Sequence, residues 1–436
     1  MIIKKHSLAL TLALALMLML ENVDTYAQSG TNSPYSMYGM GVLSDRSTGF
    51  NRGMSGVSQG FNDGNQVNPM NPASYANVDS LTFIFDAGLS LLNTNLKEGD
   101  NKRNAKTANF EYAVAAFRVW KNVGCSFGVL PYTNVGYNFY RTNKETGAVE
   151  DTYTNTYTGS GGIHEAYLGF AWKPVKFFAL GFNAGYLWGD YSKTITSVHS
   201  LSSATSLFRI YDGTVRSYKI DLGVQGIIPI NKDNTLTLGA SYVIGHSMNN
   251  TVELLDIKAD TTAYRVGDAF FVPTTISGGF AWNNKNKLKF GADFTLYKFA
   301  DQDFPTVFDN GKTFSYVKAS NQLLDRTRIA VGGEWIPDEY SNKFFERIHY
   351  KVGGYYATPY IKVSDSQGKL VDGPKEIGLS FGVGVPIINT WNNRSLLNLS
   401  AQWVRSSASN LITENYWRIN VGITFNERWF AKWKFE

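Results

Sequence analysis

From residue 81 onward apolar and polar positions alternate with a period of two, punctuated by turn residues, which predicts β-strands throughout. In 287–299, Leu288, Phe290, Ala292, Phe294 and Leu296 share one face, and Lys289, Gly291, Asp293, Thr295 and Tyr297 the other. In 177–189, Phe178, Leu180, Phe182, Ala184, Tyr186 and Trp188 oppose Ala179, Gly181, Asn183, Gly185 and Gly189. In 415–426, Trp417, Ile419, Val421, Ile423 and Phe425 oppose Arg418, Asn420, Gly422 and Thr424, and 235–242, 326–335 and 396–404 behave alike. One face is therefore apolar with aromatics at its ends, and the other is small or polar and carries charges. A soluble sandwich that buries its apolar face has the same period, so alternation alone leaves both architectures open.

The connections separate them. The pattern gives about fourteen strands of roughly ten residues, the length of tilted membrane strands. They start near Leu81, Asn109, Asn122, Gly162, Lys176, Gly213, Asn234, Thr274, Lys285, Gln322, Phe345, Lys375, Arg394 and Asn415. Short links (121–122, 173–176, 229–234, 283–287, and the longer 337–343 and 386–393) alternate with long polar ones (92–108, 135–161, 190–212, 246–273, 300–321, 358–374 and 406–414). In an outer-membrane barrel short turns face the periplasm and long loops face outside. The expected fold class is all-β, a transmembrane antiparallel β-barrel of about fourteen strands over 81–426.

Residues 28–80 are rich in Gly, Asn, Ser and Met and lack the alternation. A barrel this wide is not filled by its own side chains, so this segment is expected as an N-terminal plug in the lumen. The last residues, 427–436, alternate Trp429, Ala431, Trp433 and Phe435 against Phe430, Lys432 and Lys434, and are expected as a periplasmic tail or the end of the last strand.

At the other end, Lys4, Lys5 and His6 precede the apolar run 8–20, which leads to Thr25-Tyr26-Ala27. That arrangement predicts a signal peptide over 1–27 cut before Gln28, the run being shorter than the roughly 18 residues of a spanning helix. Composition agrees with a barrel. There are 25 Tyr, 28 Phe, 10 Trp and 41 Gly in 436 residues with only 18% charged, as strands with one lipid face and one wet face require. The net charge of +5 is unchanged by removing 1–27, and no dense Lys/Arg run implies a nucleic-acid partner. The single Cys125 excludes an intramolecular disulfide framework, and its depth in the chain excludes N-terminal lipidation.

Candidate chemistry is sparse. Three Gly-x-Ser-x-Gly matches (56–60, 124–128, 378–382) lack the strand-to-helix turn of a nucleophile elbow, and His164, His199, His246 and His349 show no ligand spacing. No catalytic residue, metal or cofactor is expected. Charges on inward faces (Lys289, Asp293, Arg328, Glu334, Arg418) suit either a network anchoring the plug or a polar path for a solute. Pro131 interrupts the third strand and, lacking an N–H, marks either a parting of the wall or the end of the membrane part of that strand at the outer rim. Tyr35, Met37, Tyr38 and Met40 are candidate pocket residues, because Met and aromatics suit adaptable apolar sites; they equally suit packing of the plug.

With Gly53-Met54-Ser55-Gly56-Val57, then Asn71-Pro72-Ala73-Ser74-Tyr75, then the strand Leu81-Thr82-Phe83-Ile84-Phe85, the chain resembles the FadL family of outer-membrane transporters for hydrophobic compounds. The stretch from Gly124 through Pro131 to Gly136 is similar to that family's kinked third strand. The resemblance implies a plug ending near Asn71, Pro72 and Ala73, and a lateral gate at Pro131, Asn134 and Gly136. It also implies passive outer-membrane transport of a hydrophobic, fatty-acid-like molecule, with that ligand and membrane lipid as partners. The opening Ser33-Pro34-Tyr35-Ser36-Met37-Tyr38-Gly39 resembles a Bacteroidetes-type branch, whose members need not all move lipids. The rival expectation is a non-transporting barrel subunit of an outer-membrane complex, such as barrel-assembly or surface-export machinery, partnered by other outer-membrane proteins or lipoproteins. A general water-filled porin is a third, and requires a displaced plug.

Overall fold

The computed structural model describes residues 30–145, 151–200, 206–258, 260–309, 313–364, 369–390, 393–409 and 411–427. The expected signal peptide and the tail beyond Glu427 lie outside these residues. The wall strands are β1 (Phe83–Glu98), β2 (Asn101–Trp120), β3 (Val123–Glu145), β4 (Asp151–Val175), β5 (Phe178–His199), β6 (Leu207–Pro229), β7 (Asn234–Val243), β8 (Thr274–Asn284), β9 (Leu288–Lys298), β10 (Arg326–Trp335), β11 (His349–Ala357), β12 (Lys375–Thr390), β13 (Asn393–Ser407) and β14 (Thr413–Glu427). Each pairs antiparallel with the next, and β14 returns to β1 with Phe83 opposite Glu427 and Lys97 opposite Thr413. The result is a closed fourteen-stranded barrel.

Burial decides between membrane barrel and soluble sandwich. The exposed face of the wall is the apolar one: Leu89, Phe127, Leu168, Phe182, Phe290, Val352, Phe381 and Ile419 all face outward and are exposed. The buried face carries Asp86, Ser126, Asn183, Gln225, Asp293, Glu334, Lys351 and Asn420. A soluble protein cannot keep that arrangement in water, whereas hydrocarbon outside and a polar lumen inside stabilise it. Trp120, Trp172 and Trp335 stand exposed near the short-turn end, where interfacial aromatics belong. No helix among the described residues is long and apolar enough to cross a membrane; the strands do so, and the chain is an outer-membrane protein.

The long connections differ from expectation. Instead of loops over 92–108 and 135–161, β1 and β2 stay paired out to Glu98 and Asn101, and β3 and β4 out to Glu145 and Asp151. These outer extensions, such as Thr152-Tyr153-Thr154-Asn155-Thr156-Tyr157, keep β-propensity but lose the apolar face that marks a membrane strand. Within 246–273 a hairpin, Asn250–Ile257 with Thr261–Gly267, adds to β6, and 304–309 pairs with 314–319 as a separate hairpin.

Residues 31–78 run inside this wall, mostly buried. Their backbone lies against inward-facing glycines. A Cβ on Gly332 would stand 2.6 Å from the Met54 carbonyl oxygen, and one on Gly239 would collide with the Gln59 carbonyl. Glycine is required at these wall positions because backbone meets backbone there. Polar inward groups complete the contact: Gln225 donates to the Gln59 carbonyl at 2.9 Å, and Asn183 to the Pro69 carbonyl at 3.1 Å.

Candidate functional site

The wall has one discontinuous seam among the described residues. The β2–β3 ladder runs from Trp120 opposite Val123 to Ala113 opposite Val129 and then stops, although both strands continue. Two bulges flank the stop. On β2, Glu111 is the extra residue, since Gly88 opposes Tyr112 and Leu89 opposes Phe110. On β3, Tyr132 is the extra residue, since Pro131 opposes His164 and Thr133 opposes Ile163. Pro131 thus sits at an internal kink, and β3 runs on past it to Glu145. Opposite the kink, Gly161 and Gly162 adopt φ of +117° and +153°, conformations open to glycine.

The N-terminal segment occupies the seam. Val42–Leu43 forms a short strand on the free edge of β3, Val42 opposite Asn134 and Leu43 opposite Thr133. Ser44 N–H continues it, donating to the Tyr132 carbonyl at 3.0 Å, and Gly136 N–H donates to Ser36 Oγ at 3.0 Å. On the other edge Asn109 donates to the Gly30 carbonyl at 2.8 Å, and Asn32 donates to the Lys106 carbonyl at 3.3 Å. Unpaired strand edges are costly in a membrane; residues 42–44 pair with the β3 edge, and on the β2 side residues 30–32 make side-chain hydrogen bonds, through Asn109 and Asn32.

Of the residues singled out in the sequence, Pro131, Asn134 and Gly136 therefore meet the N-terminal segment at the seam. Tyr35 and Met40 are buried in an apolar cluster with Tyr132, Val135, Tyr137, Ile163, Leu187 and Phe270, with Met37 and Tyr38 packed at its margin. The cluster extends through the outer hairpins (Val252, Leu254, Tyr316) and roofs the lumen at the loop end. Ser33, capping the short 3-10 helix Pro34–Met37, donates to Glu414 at 2.6 Å. Asn71, Pro72 and Ala73 lie elsewhere, buried against β5 and β6, where Asn71 donates to the Gln59 carbonyl at 2.9 Å. The structure does not bring that trio to Tyr35.

The inward charges anchor the segment. Lys289 pairs with Asp63 at 2.8 Å, Asp293 accepts from Ser58 N–H at 2.6 Å and Gln59 N–H at 3.1 Å, and Arg328 donates to the Ser55 carbonyl at 2.6 Å. Arg418 stands 3.8 Å from Asp45, and Glu334 holds His349 at 2.9 Å. Burial opposes the charge on Asp45, but the Arg52 and Arg418 guanidiniums outweigh it and hold this carboxyl down at about 2. The serines of the Gly-x-Ser-x-Gly matches are likewise structural in their contacts: Ser126 donates to the Ala115 carbonyl at 2.8 Å and Ser380 to the Gly53 carbonyl at 3.0 Å, while Ser58 binds Asp293. Among the described residues no three His, Cys, Asp or Glu side chains converge as metal ligands.

Sequence reading missed a second buried network, Arg46 with Glu165 at 2.8 Å, and Lys219 with both Glu165 and Asp221. It also missed Arg52 with Glu111 at 3.1 Å. A signal was available, since Asp45, Arg46 and Arg52 are the sole charges between residues 30 and 62. Two of the cavities between segment and wall, of about 70 and 150 Å³, are lined by Asp45, Arg326, Glu376, Tyr416 and Arg418 among others, and a further one of about 430 Å³ lies at the short-turn end beside Asp63, Asn65 and Lys289. The first two, behind the seam, fall below the roughly 300–1,000 Å³ of a preformed small-molecule pocket.

Wall, seam and lumen contents define a class by fold: fourteen-stranded outer-membrane barrels with a segment of their own chain in the lumen. The Pseudomonas putida toluene transporter TodX superposes with a TM-score of 0.59 at 13% identity, over 89% of this chain and 99% of that one. The Ralstonia pickettii toluene transporter TbuX gives 0.57 at 14% identity (88% and 98%), and a Pseudomonas aeruginosa FadL homologue 0.58 at 12% (88% and 99%). At such identities the likeness is one of fold. The comparison with curated proteins found no match. The BamG family model matches residues 2–436, and the chain belongs to the BamG family.

Proposed function

We propose that this protein is a sealed barrel that serves as a non-transporting subunit of a larger outer-membrane assembly, of the barrel-assembly or surface-export kind. The observation that carries the reading is the occupied seam: residues 30–44 are hydrogen-bonded to both free edges where an apolar cargo would leave sideways. The apolar roof and the small, charged cavities behind the seam support it. In this reading residues 28–80 are a fixed plug delivered behind a cleaved signal peptide over 1–27. The tail 427–436 and the outer hairpins offer contact surfaces to other outer-membrane proteins or lipoproteins. The resemblance of the opening Ser33–Gly39 stretch to a Bacteroidetes-type branch, whose members need not all move lipids, supports the same reading. Native mass spectrometry after gentle extraction from its own membrane tests this. A stoichiometric assembly with other proteins is expected, and a lone barrel carrying a fatty-acid-like mass would overturn it.

A second reading is favoured by one observation, the fold shared with toluene transporters. A fatty-acid-like molecule would bind near Tyr35, Met37, Tyr38 and Met40 and leave at Pro131, Asn134 and Gly136 once residues 30–44 withdraw. It predicts ligand uptake that depends on that withdrawal.

A further inference from the structure

A lumen cavity of about 150 Å³ lies between residues 42–46 of the N-terminal segment and the inward faces of β6 to β14. Five cationic side chains line it: Arg46, Lys219, Arg326, Arg328 and Arg418. Three have carboxylate partners at short range. Arg46 and Lys219 share Glu165 and Asp221, and Arg326 holds Glu376 at 2.9 Å.

Arg328 and Arg418 are different. Arg328 makes no ion pair among the described residues; it donates to the Ser55 carbonyl at 2.6 Å and lies 4.6 Å over the Tyr355 ring. Arg418 has Asp45 at 3.8 Å, beyond hydrogen-bond distance, and its buried Nε has no partner. Counting Asp45, Asp221 and Glu376 in the lining with Glu165 behind Arg46, the site holds five cations against four carboxylates. A guanidinium donor buried without a partner, as Arg418 Nε is, is costly unless an acceptor reaches it. Guanidinium forks match oxyanions in geometry as well as charge. Hydroxyls of Ser277, Thr295 and Tyr416 complete a polar lining, and the volume exceeds the roughly 30 Å³ share of a single water.

We propose that this cavity binds one tetrahedral oxyanion, a phosphate or the phosphoryl group of a lipid headgroup, between Arg328 and Arg418, and that the anion fastens the plug to β10 and β14. The adjoining cavity shares Val42–Asp45 and Arg418 with it and is lined by Gly30 and Asn134, so the site lies just behind the seam. The assignment is independent of the subunit reading, because it concerns the purified barrel alone.

The test is heat unfolding of the folded barrel in detergent, with inorganic phosphate against sodium chloride at equal ionic strength. A saturable rise of the midpoint with phosphate alone is expected. R328Q and R418Q should each raise the half-saturating phosphate about tenfold, the equivalent of about 1.4 kcal/mol. R265Q, at an exposed hairpin pair, should leave it unchanged. Phosphorus carried by the wild type is assayed on denaturation: release into water marks the free ion, and partition into chloroform marks a lipid headgroup. Equal midpoints in both salts with no phosphorus released would overturn the proposal. So would a phosphate-dependent rise that both variants keep. If the variants fail to fold, the wild-type titration and phosphorus assay decide.

Discussion

Arg52, at the end of the short helix Gly49–Arg52, meets Glu111, the extra residue of the β2 bulge, at 3.1 Å with both side chains over nine-tenths buried. The bulge thus turns a carboxylate toward the one basic residue of that helix, and Asn420, two strands along the wall on β14, accepts from the same guanidinium at 2.8 Å. Removing one partner strands the other in the lumen. Glu111→Ala should cost about 3 kcal/mol, the scale for breaking a buried pair, read as lower resistance to denaturant and faster proteolysis of residues 30–80. Unchanged resistance would show that the pair contributes nothing to seating the segment.

The seam gives a way to separate the two functional readings. Leu43 and Thr133 are directly opposed, and such antiparallel neighbours lie within disulfide reach. In a Cys125→Ala background, Leu43→Cys with Thr133→Cys should oxidise readily and fix the seam shut. A subunit should keep its role when locked, whereas a carrier should lose uptake and regain it on reduction.

Glycine packing predicts a route to an open pore. Gly332→Val places a side chain where the Met54 carbonyl now stands 2.6 Å from a Cβ position. The wall strand cannot yield without breaking its ladder, so the segment should be displaced. Planar-bilayer recordings should show wild type closed and the variant conducting; an equally closed variant would mean the segment accommodates the valine.

Acid should loosen the segment at Asp45. Its carboxyl titrates at about 2 in the fold against 3.8 when unperturbed. A depressed value means stabilisation that is complete above about pH 4 and is lost as pH falls through about 2, worth about 2 kcal/mol at neutral pH. Wild type should therefore be the more stable at pH 6, and its margin over Asp45→Asn should close between pH 4 and pH 2. A margin constant with pH would show that the charge of Asp45 is not what holds it to Arg52 and Arg418.

The strand count, the short-turn end and the inward polar face were legible in the sequence, because each depends on the period of two and on turn residues a few positions apart. Each wall strand has one expected start: eight, such as Asn109, Thr274 and Asn415, fall within the strand, and Leu81, Asn122, Lys176, Lys285, Gln322 and Phe345 lie just ahead of theirs. The outer connections were not legible: beyond the membrane both faces are wet, and extensions such as 152–158 lose the contrast between faces while staying paired.

Pro131 could be read as a break, since a missing N–H is a local fact. What fills the break could not. Val42 reaches Asn134, and Arg52 reaches Glu111, across spans of 92 and 59 residues, with no periodicity linking them. By itself the sequence determined that the chain closes into a membrane barrel, because alternation and turn spacing are local consequences of strand geometry. Only the tertiary structure decided that the N-terminal segment seals the seam and leaves Arg328 and Arg418 short of carboxylates, because those outcomes depend on which inward side chains closure brings together.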